Sequence, residues 1–192
     1  MSEHAHAMMP ITPLGGTLPR SDTHGSVTLL EVTDTALASF ASRLGQESQA
    51  QTALAGFTGM KALPAAGQAH KEGLFNVIWT GPDQWMVLAP HDSHEELASM
   101  LRADANGVAS ITEQNDAWCR FDLKGERLAD VFELLCPFNL RVCTGGEATR
   151  TSIDHLGCFV VVRSPQHILV LGPRSSAASL HHTLLTAMRA AL

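Results

Sequence analysis

The sequence contains no tyrosine, few charged residues and no long hydrophobic run. A membrane-spanning helix needs about 20 consecutive apolar residues, and no stretch of even about 18 exists, so we expect no membrane contact. The N-terminus has an acidic residue at Glu3, no early lysine or arginine and no long apolar core, which argues against a secretory signal. We therefore expect a cytoplasmic protein.

Motifs that mark the common catalytic and cofactor sites are also missing. The sequence has no G-x-G-x-x-G after a strand, no phosphate loop, no G-x-S-x-G and no H-E-x-x-H. The net charge is -6 and the 13 basic residues are scattered, unlike the basic clusters that bind a phosphate backbone. We predict no catalytic residue, no cofactor-binding residue and no nucleic-acid partner for this chain.

The four cysteines include no C-x-x-C pair, which favours reduced, mostly buried thiols. The ten histidines include the pairs His91/His94 and His181/His182, which invite interpretation as metal ligands. A zinc site usually combines three or four ligands at closer spacing. We predict that the histidines are solvated surface residues and that the chain binds no metal.

The sequence does contain an internal repeat. Residues 75–101 align without a gap with residues 158–184 at a constant offset of 83, and eight of the 27 positions are identical. The identical positions include turn prolines, strand apolar residues and helix leucines, which together define one supersecondary unit. Chance convergence of two ordinary strand-turn-strand-helix segments is the alternative.

Hydrophobic periodicity predicts the same element order in both halves. In the first half we predict a strand at 27–32, a helix at 34–44, strands at 75–80 and 84–89, and a helix at 93–103. In the second half we predict a strand at 118–123, a helix over 128–135, strands at 158–163 and 167–172, and a final helix. The first strand and helix align with their second-half equivalents at an offset of 91. Residues 45–74 have little pattern and predict an irregular connection.

The predicted fold class is α+β, with two pseudo-symmetric β-α-β-β-α halves. Residues 1–25 are rich in proline, glycine, serine, threonine and methionine and predict an extended N-terminal arm. Residues 26–192 are predicted to form a single domain made of two repeats, at about 26–104 and 117–190.

Trp79, Trp85 and Trp118 fall in predicted strands, where core packing is their first interpretation. Because the chain lacks tyrosine, these indoles and the seven methionines also provide its main adaptable apolar surface for a protein interface. Arg150 and Arg174 each flank a predicted strand and could pair with carboxylates of a partner. These five residues are the candidate interface, and solvated positions for the two arginines are the alternative.

Four separated blocks carry a resemblance to a known family. They are W-x-G-P-D-Q-W-x-V-x-A-P at 79–90, NDAWCRFDLKGERLADVFELLCPFNL at 115–140, ATRTSIDHLGCFVVVR at 148–163 and PRSSAASL at 173–180. In this order they resemble the γ subunits of heterotetrameric sarcosine oxidases. The resemblance covers roughly residues 26–190 and leaves out the predicted arm.

This resemblance implies a fold like the folate-binding domain of the glycine-cleavage T-protein. It implies partners, the α, β and δ subunits, in a complex that demethylates sarcosine oxidatively to glycine. The methyl carbon leaves as formaldehyde or methylenetetrahydrofolate, and oxygen is reduced to hydrogen peroxide. FAD, FMN, NAD, zinc and tetrahydrofolate are expected in the partner subunits, and none in this chain.

Two alternatives remain open at the level of sequence. A free-standing folate-binding aminomethyltransferase-like protein would be an enzyme by itself, although T-proteins are much longer than this chain. The equivalent subunit of a dehydrogenase for another N-methyl amino acid would keep the structural role and change the substrate. The identity of the N-methyl amino acid is not contained in these motifs.

Overall fold

The structure is a computed structural model that describes residues 9–192. This part of the chain contains eleven strands and five α-helices. The strands are β1 Ser21–His24, β2 Val27–Val32, β3 Thr35–Ser42, β4 Ala69–Glu72, β5 Phe75–Gly81, β6 Gln84–Pro90, β7 Ala109–Glu113, β8 Trp118–Gly125, β9 Ala148–Ile153, β10 Leu156–Ser164 and β11 His167–Pro173. The helices are α1 Glu47–Thr58, α2 His91–His94, α3 Leu97–Ala105, α4 Leu128–Glu133 and α5 Ala177–Ala191. No helix in this part of the chain is both long enough and apolar enough to cross a bilayer.

The strands form two antiparallel sheets. The six-stranded sheet has the order β1-β2-β8-β11-β10-β9, and the five-stranded sheet has the order β4-β5-β6-β3-β7. Helices and antiparallel sheets in separate layers confirm the predicted α+β class.

Along the strands, successive side chains point to opposite faces of each sheet, and one face of each sheet packs against the other sheet. In β8, the side chains of Cys119, Phe121 and Leu123 are buried together with apolar residues of α4 and α5. The opposite faces of both sheets share one buried cluster, whose members are Leu37, Ala69, Ile78, Met86, Leu88, Ala148, Phe159, Val161, Leu169 and Leu171. Helices α1 and α3 cover the outer face of the five-stranded sheet. Each large apolar side chain buried in these layers contributes about 1.5–3 kcal/mol.

Two short connections carry the chain from one sheet to the other. Strand β2 leads into β3 after two residues, yet β2 pairs with β8 in the six-stranded sheet. Strand β7 leads into β8 after four residues, yet β7 pairs with β3 in the five-stranded sheet. The sheets therefore exchange strands, and each sheet is incomplete without a segment from the other half of the chain.

The sequence offset of the repeat extends beyond the aligned segments. The first residues of β3 and β8, Thr35 and Trp118, are separated by this same offset, and so are the first residues of β6 and β11. The backbone hydrogen bonds repeat as well: Ser42 N donates to Asp83 O, and at the equivalent positions Gly125 N donates to Gln166 O. An irregularity in β5 after Trp79 recurs in β10 after Val162.

The helix predicted for residues 34–44 is wrong, and so is the offset of 91 on which its alignment rested. Residues 35–42 form β3, in which Ala36, Ala38 and Phe40 are buried on one face at a period of two. Leu37, Phe40 and Leu44 imitate helical spacing, but Leu44 is 98% exposed beyond the strand. The helix of this half is α1, within the segment predicted to be irregular. That segment also contains β4, and the short strand β9 was not predicted either.

The predicted arm is only partly described, because residues 1–8 lie outside the described residues. Strand β1, within the predicted arm, pairs with β2 at the edge of the six-stranded sheet. Residues 9–20 have no strand or helix, and the buried carboxylate of Glu31 accepts hydrogen bonds from Leu14 N and Arg20 N, both at 2.9 Å. The described part of the arm is therefore attached to the sheet.

Gly125 lies where β8 pairs with β2, at a point of close backbone packing. A Cβ at this position would lie 1.9 Å from the Ser26 carbonyl oxygen, and the φ angle of +142° disfavours other residues. We expect Gly125→Ala to lower the free energy of unfolding by about 3 kcal/mol or more. Urea denaturation of the two chains measures the difference.

Gly56 in α1 provides the control, since a Cβ there would meet no atom within 4 Å. Gly56→Ala should raise the free energy of unfolding by about 0.5–1 kcal/mol. Equal changes in the free energy of unfolding for the two substitutions would contradict the tight packing of β2 against β8 at Gly125.

Candidate functional site

Three of the five candidate interface residues lie along one edge of the layer between the sheets. The Trp118 ring packs on the Phe159 ring with a centroid distance of 5.3 Å. The guanidinium carbon of Arg150 lies 5.7 Å from the centroid of the same Phe159 ring. Arg174 follows β11 and lines the same cavity as Trp118. We call Trp118, Arg150, Phe159 and Arg174 the Trp118 edge.

A cavity of about 400 Å³ lies beside this edge. One wall comes from the segment 10–19, and the other includes Leu37, Trp118 and Arg174. Arg174 holds the segment in place, because its Nη2 donates to the Ile11 carbonyl oxygen at 3.3 Å. Within that segment and just before it, Met9, Ile11 and Leu18 are 72%, 61% and 79% exposed. An aromatic and cationic edge therefore stands next to exposed apolar side chains.

Trp79 and Trp85 lie elsewhere, in the wall of a cavity beside α1. Trp85 is 5% exposed, and its indole Nε1 donates to the Pro64 carbonyl oxygen at 3.1 Å. Its side chain is part of the core and offers no free surface to a partner. Trp79 is half-buried, so an interface role stays a prediction for Trp79 and Trp118 only.

A charged network that the motif search missed lies between the sheets. Arg120 donates from Nε and Nη2 to the two carboxylate oxygens of Asp122, each at 2.8 Å. His167 Nε2 lies 2.7 Å from Asp122 Oδ2, and Arg120 Nη1 donates to Thr35 Oγ1 at 2.9 Å. Since Thr35 begins β3, this network also joins the two sheets.

Burial and pairing act in opposite directions on Asp122, which is 3% exposed. Burial raises the pKa of this carboxyl, but the hydrogen bonds from His167 and Arg120 and the charge of Arg120 outweigh it. The pKa is lowered from 3.8 to about 2. Asp122 therefore remains ionised at neutral pH and serves as the common acceptor of the network.

The cysteines are free and buried, as predicted. Burial raises the pKa of Cys119 to about 11 and that of Cys158 to about 12, so both remain protonated thiols at neutral pH. Thiols in this state are poor nucleophiles and poor metal ligands.

The prediction of solvated histidines is wrong for two residues. His94 is 9% exposed, with its ring 5.1 Å from that of Phe75, and His181 is 6% exposed, with Nε2 2.9 Å from Asp22 Oδ2. His181 thereby fastens α5 to β1. Within residues 9–192, no three or more histidine, cysteine or acidic side chains lie where they could hold a metal ion together.

Removing the Asp122 carboxylate should destabilise the fold and change its pH dependence. We expect Asp122→Asn to lower the free energy of unfolding by about 3 kcal/mol at pH 7, because Arg120 loses its partner. The native pKa lies below the unfolded value, so the ionised carboxylate stabilises fully above about pH 4, and this contribution is lost as pH falls through about 2. The difference between the two proteins should shrink over that range in urea denaturation.

Asp116→Asn is the control, since the Asp116 side chain is 90% exposed. Its effect should stay within about 0.5 kcal/mol at every pH. A wild-type advantage over Asp122→Asn that does not change between pH 7 and about pH 2 would contradict the ion pair.

The chain has relatives of known structure, although no protein-family model and no curated protein sequence matches it. It is similar to a chain of the heterotetrameric sarcosine oxidase from Corynebacterium sp. U-96, solved in complex with pyrrole 2-carboxylate. The TM-score is 0.75 and the identity is 25%, over 85% of this chain and 84% of that chain.

The glycine cleavage system aminomethyltransferase T from Bartonella henselae is similar in fold alone. Its TM-score is 0.61 and its identity 15%, over 85% of this chain and 46% of that chain. This chain thus spans less than half of the aminomethyltransferase. The fold relation to T-protein that the motifs implied is confirmed, and so is the resemblance of this chain to heterotetrameric sarcosine oxidase.

Proposed function

We propose that this chain is the γ subunit of a heterotetrameric sarcosine oxidase. The observation that carries the proposal is the match in size, fold and sequence to one chain of such an enzyme. Because the alignment covers 85% of this chain and 84% of the other, the two chains have nearly the same length. The higher identity and TM-score of the match to the sarcosine oxidase chain favour a subunit of such an enzyme over a free-standing aminomethyltransferase.

In this proposal the chain is an accessory subunit without its own cofactor or catalytic residue. The α, β and δ subunits hold FAD, FMN, NAD, zinc and tetrahydrofolate, and the complex converts sarcosine to glycine in the cytoplasm. Two repeated halves in a pseudo-two-fold arrangement form a rigid body that packs against a larger subunit. The internal network of Arg120, Asp122 and His167 keeps that body in one shape.

The Trp118 edge is the surface that best fits a partner subunit. Aromatic and arginine side chains are enriched in the centres of protein interfaces, and arginine pairs with carboxylates there. Trp118 and Arg174 line one cavity with the exposed Ile11, and Met9 and Leu18 are exposed in the same stretch of chain. Burial of these apolar side chains against a partner would be favourable. Arg150 has no ion pair among residues 9–192, so its charge is available to a partner carboxylate.

The proposal is tested by purifying the chain from its own host with an affinity tag. We expect a yellow assembly in which this chain has a fixed ratio to three other subunits and which produces hydrogen peroxide when sarcosine is added. The measurements are subunit mass, flavin absorbance and peroxide formation. A colourless chain that elutes alone while sarcosine oxidation stays with other fractions would refute the proposal.

Two further readouts separate the alternatives. If the assembly is yellow but oxidises another N-methyl amino acid faster than sarcosine, the chain is the equivalent subunit of a different dehydrogenase. If the lone chain binds tetrahydrofolate, the aminomethyltransferase-like alternative is favoured.

A charge-reversal pair locates the contact. Arg150→Glu should lower the share of the chain found in the assembly, whereas Arg43→Glu, a change at another exposed arginine beside the β3–α1 turn, should leave it unchanged.

A further inference from the structure

Another cavity, of about 330 Å³, opens between the sheets at the far side of the Arg120 network. The five-stranded sheet contributes Lys71 from β4 and Asn76 from β5. The six-stranded sheet contributes Arg120, Arg163 and His167. This volume is at the lower end of the range of pockets that bind small molecules.

The walls of this cavity are positively charged in a chain whose net charge is -6. Three of the lining residues are lysine or arginine, and none is acidic. The nearby carboxylate of Asp122 is occupied, because it already accepts from Arg120 and pairs with His167. The remaining cations, Lys71 and Arg163, therefore have no negative partner in the wall.

Arg163 is the most unusual of these groups. It is partly buried, and among residues 9–192 its guanidinium makes no hydrogen bond and no ion pair. Burial and the charge of Arg120 outweigh the opposing charge of Asp122 and lower the pKa of Arg163 to about 10. A guanidinium withdrawn from water and placed near a second cation is costly unless an anion compensates it.

The fold itself does not require these charges. In the first half of the repeat, the positions equivalent to Arg120, Asp122, Arg163 and His167 hold Leu37, Ser39, Thr80 and Gln84, all uncharged. Thr80 and Arg163 occupy the same irregularity in β5 and β10, so the repeat accommodates a short neutral side chain at this point. Arg120, Asp122, Arg163 and His167 therefore have no counterparts of the same chemistry in the first half. β-Bulges commonly direct a side chain into a functional site.

Asn76 adds a neutral hydrogen-bonding group to the same wall. Its buried Oδ1 has no hydrogen-bond partner among residues 9–192. Because no hydrogen bond to Oδ1 fixes the amide, the side chain can turn its NH2 group toward a bound oxyanion.

We propose that this cavity binds a small oxyanion, a carboxylate or a phosphate, with Arg163 as its principal ligand. The guanidinium matches both anions through two parallel N–H groups, and Lys71 adds a second charge. The site is built from this chain alone and does not depend on the proposed subunit role, so either proposal can fail while the other stands.

The test is thermal unfolding of the full chain with added succinate or phosphate, at an ionic strength held constant with chloride. An anion that binds only the native state raises Tm with a saturating concentration dependence. We expect at least one of the two anions to do so, and the larger shift identifies the preferred group. Arg163→Thr, which installs the residue of the equivalent position, should weaken binding by about tenfold or more.

The same variant gives a second, independent readout. In chloride alone, Arg163→Thr should unfold at a temperature equal to or above that of the wild type, because it removes a charge without a partner. Arg43→Thr removes the same charge from an exposed position and should keep the full response to the anion.

Three results would overturn the proposal. One is a wild-type chain whose Tm responds to succinate and phosphate no more than to chloride. The second is an equal response of the wild type and Arg163→Thr. The third is a loss of assembly with partner subunits in Arg163→Thr without any anion binding by the wild type, which would assign the cavity to an acidic side chain of a partner.

Discussion

The exchange of β2 and β7 between the sheets is the constraint on which the remaining structure depends. Each strand is followed within a few residues by a strand of the opposite sheet, so neither half of the chain can complete its own sheet. If either strand separated from its sheet, the backbone N–H and C=O groups of its neighbour would lose their partners. Those groups would then need water, or would cost free energy if they stayed buried. The face-to-face packing of the sheets, and hence the Trp118 edge and the charged cavity between them, follows from this interlocking.

The residues at positions related by the offset of 83 differ in the layer between the sheets. Toward the middle, the layer is closed by apolar residues from both sheets. Toward one end, β8, β10 and β11 contribute Arg120, Asp122, Arg163 and His167, whereas their counterparts in the first half are neutral. Asp122 neutralises part of this charge and anchors Arg120, which touches both sheets. The charged residues therefore occur at only one of each pair of positions related by the offset of 83.

Much of the fold was predictable wherever the pattern is local. The hairpins β5-β6 and β10-β11 and the leucine-bearing helices α3, α4 and α5 were predicted, because strand runs bounded by prolines and turns are strong local signals. Helix α1 was missed because its buried residues, Ala50, Leu54 and Thr58, include only one large apolar side chain. Strand β3 resembles a helix in its sequence because Leu37 and Phe40 belong to different faces of a strand buried on both sides.

The strand exchange and the charged network could not be predicted, since both depend on which distant segments pair. The alternation in β8 of Cys119, Phe121 and Leu123 with Arg120 and Asp122 is the one local signal that was overlooked. It places two charges on one face of a buried strand. Of the candidate interface residues, Trp118, Arg150 and Arg174 are brought together by the fold, while Trp85 is core.

The most direct test of the interlocked fold is native-state hydrogen exchange under increasing urea. Amides in the β2-β8 ladder and in the β3-β7 ladder should exchange through one common opening, with the same free energy and the same dependence on urea as global unfolding. Exchange of one ladder at a distinctly lower free energy, while the other stays protected, would show that the halves unfold independently and would contradict this account.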